Sequence, residues 1–447
     1  MKDQNSPMSR RRFVRNTTAA AASITALGSA ARVHAAGGDE IKIGLIGCGG
    51  RGTGACMQAL TATDTPVKLW AMGDLFPDQV EKSYTTLSEG AAKRYDRSAF
   101  DSLAGQMEVP KERQFAGFDS YKDVVDSGVD LVLLASPPHF RPDHFEYAVR
   151  AGKHVFMEKP AAVDAVGIRR VIETANEARK KKLSVVAGTQ RRHQNHYLDI
   201  LKRVQDGAIG EIVAGQCYWN MGPLWVGDAK KYWDKYQAGE WTDMEYQCRN
   251  WLFHVWLSGD HICEQHVHNI DIMHWALGAD PVMVQAVGGR QERVQPQYGN
   301  GYDHFATELE FPNGVRVASM CRQQSNVAFN VSERLVGTKG QAFLNGNSGE
   351  ITGENAYKYD GPDVDPYVQE HANLIQSIRN GDGLNEGEQV ARSTLSAIAG
   401  RMSAYTGRSM KWDWAMQRSQ LRLGPEKYEF GDLEVDPPAV PGVTKLI

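Results

Sequence analysis

The run Ile41-Lys42-Ile43-Gly44-Leu45-Ile46, followed at once by Gly47-Cys48-Gly49-Gly50-Arg51-Gly52, constrains this chain more than any other feature. A short apolar β-type run that ends in G-x-G-x-x-G and continues as a helical pattern to Leu60 predicts strand, tight loop and helix. Gly47 permits the turn, Gly49 lets the backbone approach a pyrophosphate, and Gly52 lets helix and strand pack closely. The helix N-terminus then faces the phosphate charge. The loop Gly47, Cys48, Gly49, Gly50, Arg51 and Gly52 is therefore a set of candidate cofactor contacts.

The pattern around the loop repeats it. A second strand at 67–72 ends at Gly73-Asp74. A carboxylate at that tip accepts hydrogen bonds from a ribose 2′-hydroxyl and repels a 2′-phosphate, so NAD is expected over NADP. The alternative for Asp74 is a strand-end turn residue. A buried strand at 129–134 runs into Ser136-Pro137-Pro138-His139, at a strand's C-terminal end where ligands gather. Ser136, Pro137 and His139 join the candidate cofactor contacts. A helix to Arg150 and a strand at 153–157 follow. Strands alternating with helices predict an α/β fold with a doubly wound parallel sheet.

The stretch Ala151-Gly152-Lys153-His154-Val155-Phe156-Met157-Glu158-Lys159-Pro160 resembles the A-G-K-H-V-F-x-E-K-P signature of the glucose–fructose oxidoreductase / inositol dehydrogenase / MocA (Gfo/Idh/MocA) family. The resemblance covers roughly residues 41–415 and is strongest in the first third. It implies an N-terminal Rossmann domain, then an α/β domain with a large open, mostly antiparallel sheet that commonly supports oligomer contacts. It also implies hydride exchange between NAD(P) and a carbinol carbon of a sugar, an inositol or a related compound.

The resemblance carries residues with it. Lys159 falls on the family lysine beside the reacting hydroxyl and the nicotinamide, where a cation stabilises a developing alkoxide. The bland alternative is a surface lysine before a proline. Glu158 accompanies it as a cofactor contact. The family's second signature, an acidic residue and a histidine four positions apart, matches Glu264 and His268 within Glu264-Gln265-His266-Val267-His268-Asn269-Ile270-Asp271. Spacing by i, i+4 and i+7 puts 264, 268 and 271 on one helical face. His268 falls on the catalytic histidine, and Glu264 replaces the more usual Asp. Asn269 and Asp271 are expected beside the substrate, Asp271 as a direct partner or as support. Gln190-Arg191-Arg192-His193 resembles the segment near the nicotinamide. It makes Gln190 a cofactor contact and Arg191 and His193 substrate neighbours. The loop 136–142 departs from the family's T-P pattern, with Arg141 near a position often held by His.

Other features bound the function. Five histidines lie between His254 and His274, and His261, Glu264 and His268 also share a face. No H-E-x-x-H motif is present, so no metal is expected. The six cysteines form no C-x-x-C pair and are expected as buried free thiols. A net charge of −4 offers no basic face for nucleic acid. Six tryptophans lie between Trp219 and Trp256. They stack on sugar C–H faces or pack the core. The interval 222–250 shows little periodicity and reads as a long loop over the substrate or a neighbouring subunit.

Residues 1–36 read as a twin-arginine signal: Ser9-Arg10-Arg11-Arg12-Phe13-Val14-Arg15 precedes a weakly apolar stretch at 17–31. That stretch is too short and too polar for the roughly 20 apolar residues that span a bilayer. The expected plan is a signal at 1–36, a NAD(P)-binding Rossmann domain at 41–165, a substrate and oligomerisation domain at 166–412, and a surface-packed tail at 413–447. The expectation is a periplasmic or otherwise extracytoplasmic homo-oligomer, handled by the Tat machinery and without membrane insertion. Free NAD is scarce outside the cytoplasm, so the cofactor is expected to stay tightly bound and the net reaction to be redox-neutral. One sugar or cyclic polyol is then oxidised and another reduced. The alternative is an NAD-dependent glycosidase working by oxidation, elimination, hydration and reduction. A non-catalytic sugar-binding protein is the reading from a different class. The intact glycine loop, Asp74, Lys159 and His268 weigh against it.

Overall fold

The computed structural model describes residues 40–64, 66–88 and 103–446. The twin-arginine segment lies outside them. Strands β1 (Ile41–Ile46), β2 (Val67–Asp74), β3 (Gln114–Ala116), β4 (Leu131–Leu134), β5 (His154–Met157) and β6 (Val185–Ala187) form one sheet, ordered β3-β2-β1-β4-β5-β6. Every pairing in it is parallel. Helices cover both faces, so the central strands are largely apolar; β4 reads Leu-Val-Leu-Leu with every residue buried. The flanking helices include α1 (Gly50–Thr61), α2 (Arg141–Arg150) and α3 (Ala165–Lys180). Asp164 starts α3 by accepting the Gly167 N–H at 2.7 Å. The sheet takes its sixth strand from 185–187, beyond residue 165, where the sequence pattern alone closes the domain.

The strand order reverses between β1 and β4, which opens a crevice at the strands' C-terminal ends. Two glycines make that crevice. Gly47 has φ +95°, and a Cβ there would meet the Ser136 nitrogen at 2.4 Å. A Cβ on Gly52 would lie 1.8 Å from the Gly47 carbonyl oxygen. Gly52→Val therefore forces the loop off α1. It is expected to cost about 1–3 kcal/mol of stability and to abolish dinucleotide binding, as thermal melting and a nucleotide titration would show.

The second sheet has nine strands: β7 (Ile212–Met221), β8 (Met283–Gly289), β9 (His304–Glu310), β10 (Arg316–Gln323), β11 (Asn330–Gly337), β12 (Gly340–Asn345), β13 (Ser348–Gly353), β14 (Tyr357–Lys358) and β15 (Met410–Lys411). Their order is β14-β13-β12-β11-β7-β10-β9-β8-β15. Only β7 with β10 is parallel. Between β7 and β8 come α4 (Val226–Gln237), α5 (Asp243–Arg249), α6 (His261–Glu264) and α7 (Val267–Leu277). The helices α8 (Pro366–Asn380) and α9 (Gly387–Thr406) follow β14.

Helix α9 lies between α3 and β8 and is buried almost all round, so it is rich in Ala, Ser and Gly rather than amphipathic. Its hydroxyls serve its neighbours. Ser393 donates to Asp271 at 2.7 Å, and Ser403 accepts the Ala286 N–H at 2.8 Å.

Two expectations are corrected here. The interval 222–250 is not a loop: α4 and α5 occupy most of it. Thr242 caps α5 by accepting the Glu245 N–H, a T-x-x-E start signal. Residues 264–271 are not one helix face either. The chain breaks at Gln265-His266 between α6 and α7, so Glu264 and His268 stand on different helices.

Candidate active site and nucleotide cleft

A cleft of about 360 Å³ opens at the switch point. Its floor is Gly47, Gly49, Gly50, Arg51 and Gly52, backed by Asp74, Ser136 and Pro137. A Cβ on Gly49 or Gly50 would meet nothing within 4 Å, so the loop's outer face is open to a ligand. The first turn of α1 presents backbone N–H groups there, as a pyrophosphate requires. The Asp74 carboxylate accepts the Cys48 N–H at 2.6 Å and the Phe76 N–H at 2.9 Å. Burial raises its pKa and those two N–H bonds oppose the rise. Each carboxylate oxygen has a further lone pair for a ribose hydroxyl. These residues fit a dinucleotide.

Two expected cofactor contacts are corrected. The Cys48 side chain turns into the core, its thiol directed at the Gly73 carbonyl at 3.4 Å, so only its backbone serves the loop. His139 turns away from the cleft as well. Its Nε2 meets the Tyr428 hydroxyl at 2.8 Å and its ring packs edge-on against Trp256. Burial pushes its pKa down to about 4. His144 lines the cleft instead, with its Nδ1 3.4 Å from the Ser136 hydroxyl.

Next to Arg51 of the cleft, the two domains together supply the chemistry. The Lys159 ammonium donates to the Glu264 carbonyl oxygen and, at 3.0 Å, to its carboxylate. Glu264 also accepts from Gln265. His268 is buried, with Nδ1 unpartnered, and its ring stacks on Trp219 at 5.6 Å and 23°. Burial lowers the His268 pKa well below the usual imidazole value, and the charges of Lys159, Arg191 and Arg51 lower it further. At neutral pH it is the uncharged, proton-accepting form. Glu158 binds Arg51 with one carboxylate oxygen and the Lys159 N–H with the other, at 3.1 Å. Arg51 also reaches the fully buried Glu370 at 2.9 Å. Gln190 donates to the Tyr367 hydroxyl at 3.1 Å and leaves its buried Oε1 unpartnered.

The four expected substrate contacts bond chiefly to other protein groups, although Asn269 Oδ1 and His193 Nε2 are buried without a hydrogen-bond partner. Arg191 pairs with Glu333, which also accepts from Asn269 at 2.5 Å and from the Tyr197 hydroxyl at 2.8 Å. Asp271 holds Arg192 bidentately at 2.7 and 3.0 Å. His193 accepts from Asn373 at 2.8 Å and faces Glu386 at 3.4 Å. All four lie buried. They form a floor beneath the site rather than its wall: the Arg191 guanidinium packs against Trp219, and Trp219 packs against His268.

Sequence reasoning missed Glu333, Glu370 and the supporting role of Arg141. Arg141 donates to the Pro160 carbonyl and, at 2.6 Å, to the Ser136 carbonyl. It thereby ties the Ser136 loop to the Lys159 loop. Among the tryptophans, Trp225 and Trp251 line the cleft, whereas Trp233 packs against Tyr236 and Tyr246. Burial pushes His254 and His266 down to a pKa of about 3. No group of three or more His, Cys, Asp or Glu side chains among the described residues is arranged to hold a metal ion. No described helix is long and apolar enough to cross a membrane.

Comparison with known proteins agrees with this architecture. The family model "Oxidoreductase family, NAD-binding Rossmann fold" matches residues 41–187, and "GFO/IDH/MocA C-terminal domain" matches 197–343. The chain is 28% identical over 245 residues to 2,7-anhydro-N-acetylneuraminate hydratase of Escherichia coli, covering 54% of this chain and 56% of that one. It is 25% identical over 248 residues to inositol 2-dehydrogenase of Salmonella typhimurium, covering 55% and 64%. It is 24% identical over 311 residues to glycosyl hydrolase family 109 protein 1 of Phocaeicola vulgatus, covering 68% and 59%. The matched region thus spans less than two thirds of these relatives' length. Among solved structures, aldose-aldose oxidoreductase from Caulobacter crescentus superposes with a TM-score of 0.63 at 19% identity, covering 83% of this chain and 99% of that one. That likeness shows the fold.

Proposed function

Because the chain belongs to the GFO/IDH/MocA oxidoreductase family, we propose that it exchanges hydride with a carbinol carbon of a sugar or cyclic polyol, using NAD. The observation that carries this reading is the Lys159–Glu264 pair joined through Glu158 to Arg51 of a cleft shaped for a dinucleotide, with the buried His268 ring stacked on Trp219 and exposed to the Lys159 charge. When bound, a nicotinamide takes a hydride from the carbinol carbon or returns it to a ketone. His268, uncharged, accepts the hydroxyl proton as the alkoxide forms. The Lys159 ammonium, held by Glu264, donates a hydrogen bond to that oxygen and stabilises its charge. Asp74 selects a ribose diol over a 2′-phosphate.

The proposal extends to location and assembly. Arg10-Arg11 and Phe13 support export by the twin-arginine route, with the cofactor loaded beforehand. The outward face of the nine-stranded sheet shows exposed Met320 and Val287, which supports a homo-oligomer through that face. The hydratase and glycosyl hydrolase relatives favour a second reading of the same site. In it, oxidation to a ketone acidifies the neighbouring C–H, a substituent leaves, water adds and the ketone is reduced. His268 and Lys159 keep their roles in both.

The test is a single-turnover experiment on the holoenzyme with a panel of polyols, aldoses and glycosides, read at the absorbance of reduced nicotinamide. A rise with one of them is expected; no change with any polyol, aldose or glycoside contradicts the reading. The profile of kcat/KM against pH gives a further check. Because its pKa is lowered, His268 stays neutral as the pH falls through about 6.5, the ordinary imidazole value. The acid limb is therefore expected well below that pH. An acid limb at or above it would remove His268 as the base.

A further inference from the structure

The turn that follows Lys159 and the turn that precedes Glu264 are tied together by one helix, α9. Its Arg401 is the largest fully buried side chain among the described residues. One terminal nitrogen donates to the Val163 carbonyl at 2.7 Å, in the turn after Lys159. The other donates to the Gly259 carbonyl at 2.8 Å, just before α6. Burying a guanidinium is costly unless its N–H groups are bonded. Here its rigid fork is spent on two main-chain carbonyls from distant parts of the chain. Thr394, two turns earlier on α9, accepts the Ala161 N–H at 3.2 Å and holds the same turn after Lys159. Gly259, at φ +75°, is pressed against this contact. A Cβ there would lie 3.3 Å from the Arg401 terminal nitrogen and 3.4 Å from Val163 Cγ1.

The turn before Glu264 is strained. Asp260 starts α6 with φ +68° and ψ 163°, backbone that glycine alone adopts readily. Such a residue persists only where its surroundings over-determine it, and such residues cluster at functional sites. The Asp260 carboxylate accepts the His261 N–H and the Tyr302 N–H at 2.7 Å each, and the Tyr405 hydroxyl at 2.6 Å. The Asp260 N–H donates to the Ser258 hydroxyl at 3.0 Å. Tyr405 stands one turn beyond Arg401 on α9. If this turn relaxed, the single-turn helix α6 would swing, and Glu264 at its end would carry away the groups that hold the Lys159 ammonium.

We propose that Arg401 and Tyr405 are positioning residues, which set the register of the Lys159 ammonium on Glu264. This rests on the reading of Lys159 and Glu264 above. Arg401 locks the turn after Lys159 to the turn before Glu264, and Tyr405 keeps the second turn in its strained form. The placement of the reacting cation is thus fixed by a helix that itself supplies none of the reacting groups.

Two measurements on the full chain test this. In the first, lysines are reductively methylated with formaldehyde and dimethylamine–borane, and the rate at Lys159 is read by peptide mass spectrometry relative to the exposed Lys231. The Lys159 amine must leave Glu264 to react. Arg401→Lys keeps the charge but reaches one carbonyl instead of two, and Tyr405→Phe loses only the hydroxyl. Each is expected to raise the Lys159 ratio severalfold. Ser403→Ala, whose lost bond goes to Ala286 on β8, controls for loosened packing of α9 and is expected to leave the ratio unchanged. In the second, kcat and KM are measured with the polyol, aldose or glycoside that gives the largest single-turnover signal. Arg401→Lys is expected to lower kcat about 10–10²-fold with KM little changed. In the Lys159→Met background it should cost almost nothing further. A ratio unchanged in both Arg401→Lys and Tyr405→Phe, or raised equally in Ser403→Ala, overturns the proposal. An equal loss of kcat with and without Lys159 also overturns it, by marking Arg401 as a support of the fold alone. If Arg401→Lys folds poorly, Tyr405→Phe carries both measurements. A wild-type chain that turns over nothing in the panel contradicts the reaction proposed above, while the methylation ratio still decides whether α9 sets the Lys159–Glu264 register.

Discussion

Lys159→Met is expected to lower kcat by about 10²–10⁴-fold while the dinucleotide stays bound. The methionine keeps the length and apolar stem of the lysine and loses only the ammonium. Its partners, the Glu264 carbonyl and carboxylate, lie in the second domain, away from the glycine loop. Nothing that contacts the pyrophosphate or ribose changes. His268→Ala should cost a similar factor, because it removes the proton acceptor and empties the space beside Trp219. The double variant should cost little more than either single change, since the two groups act on one oxygen in one step. Turnover is measured by steady-state kinetics and occupancy by mass spectrometry of released nucleotide. Turnover that survives both single changes would remove these residues from the chemistry.

Arg191→Met is expected to destabilise the fold by about 3–5 kcal/mol, because it strands a buried carboxylate. Glu333 is fully buried on β11, and Arg191 is its cationic partner. Burial raises the Glu333 pKa, and the Arg191 charge is the first cause opposing that rise. Without Arg191 the folded-state value climbs further above the unfolded value of about 4.3. A raised carboxyl contributes stability that is fully present below the unfolded value and is lost as pH rises through the folded value. The penalty should therefore be smallest in acid and should grow toward neutral pH. Urea unfolding at several pH values measures it. A penalty that shrinks as pH rises would contradict the pairing. Activity should fall as well, because Arg191 supports Trp219 and through it the His268 ring.

Much of the first domain was legible in the sequence, because its signals are local. The glycine loop, Asp74 at the end of β2 and the Ser136 turn each lie within a few residues of the strand that positions them. Apolar runs such as β4, buried on both faces, announce a parallel sheet. The second domain was less legible, because its contacts are long-range. Glu333 meets Arg191 across 142 residues, and Glu370 meets Arg51 across 319. Neither pairing leaves a mark in any window of sequence. The i, i+4, i+7 spacing of Glu264, His268 and Asp271 misled, because a one-turn helix ends at Glu264 and a new one starts at Val267. Lys159 still meets Glu264, because β5 and α6 are placed by the packing of the two domains. The α4–α5 segment did carry local signals. Thr242 and Glu245 form a helix start, and Ala229, Tyr232, Trp233 and Tyr236 recur at helical spacing. The tryptophans there were open to sugar stacking or core packing; Trp233 packs against Tyr236 and Tyr246, and Trp225 and Trp251 stand in the nucleotide cleft.

The proposed function requires that this cleft hold a nicotinamide dinucleotide which the protein keeps. It is tested most directly by purifying the protein, denaturing it and identifying the released small molecules by mass spectrometry. NAD or NADH is expected in near-stoichiometric amount. Protein that releases no dinucleotide, and takes up none when NAD is added, would contradict it.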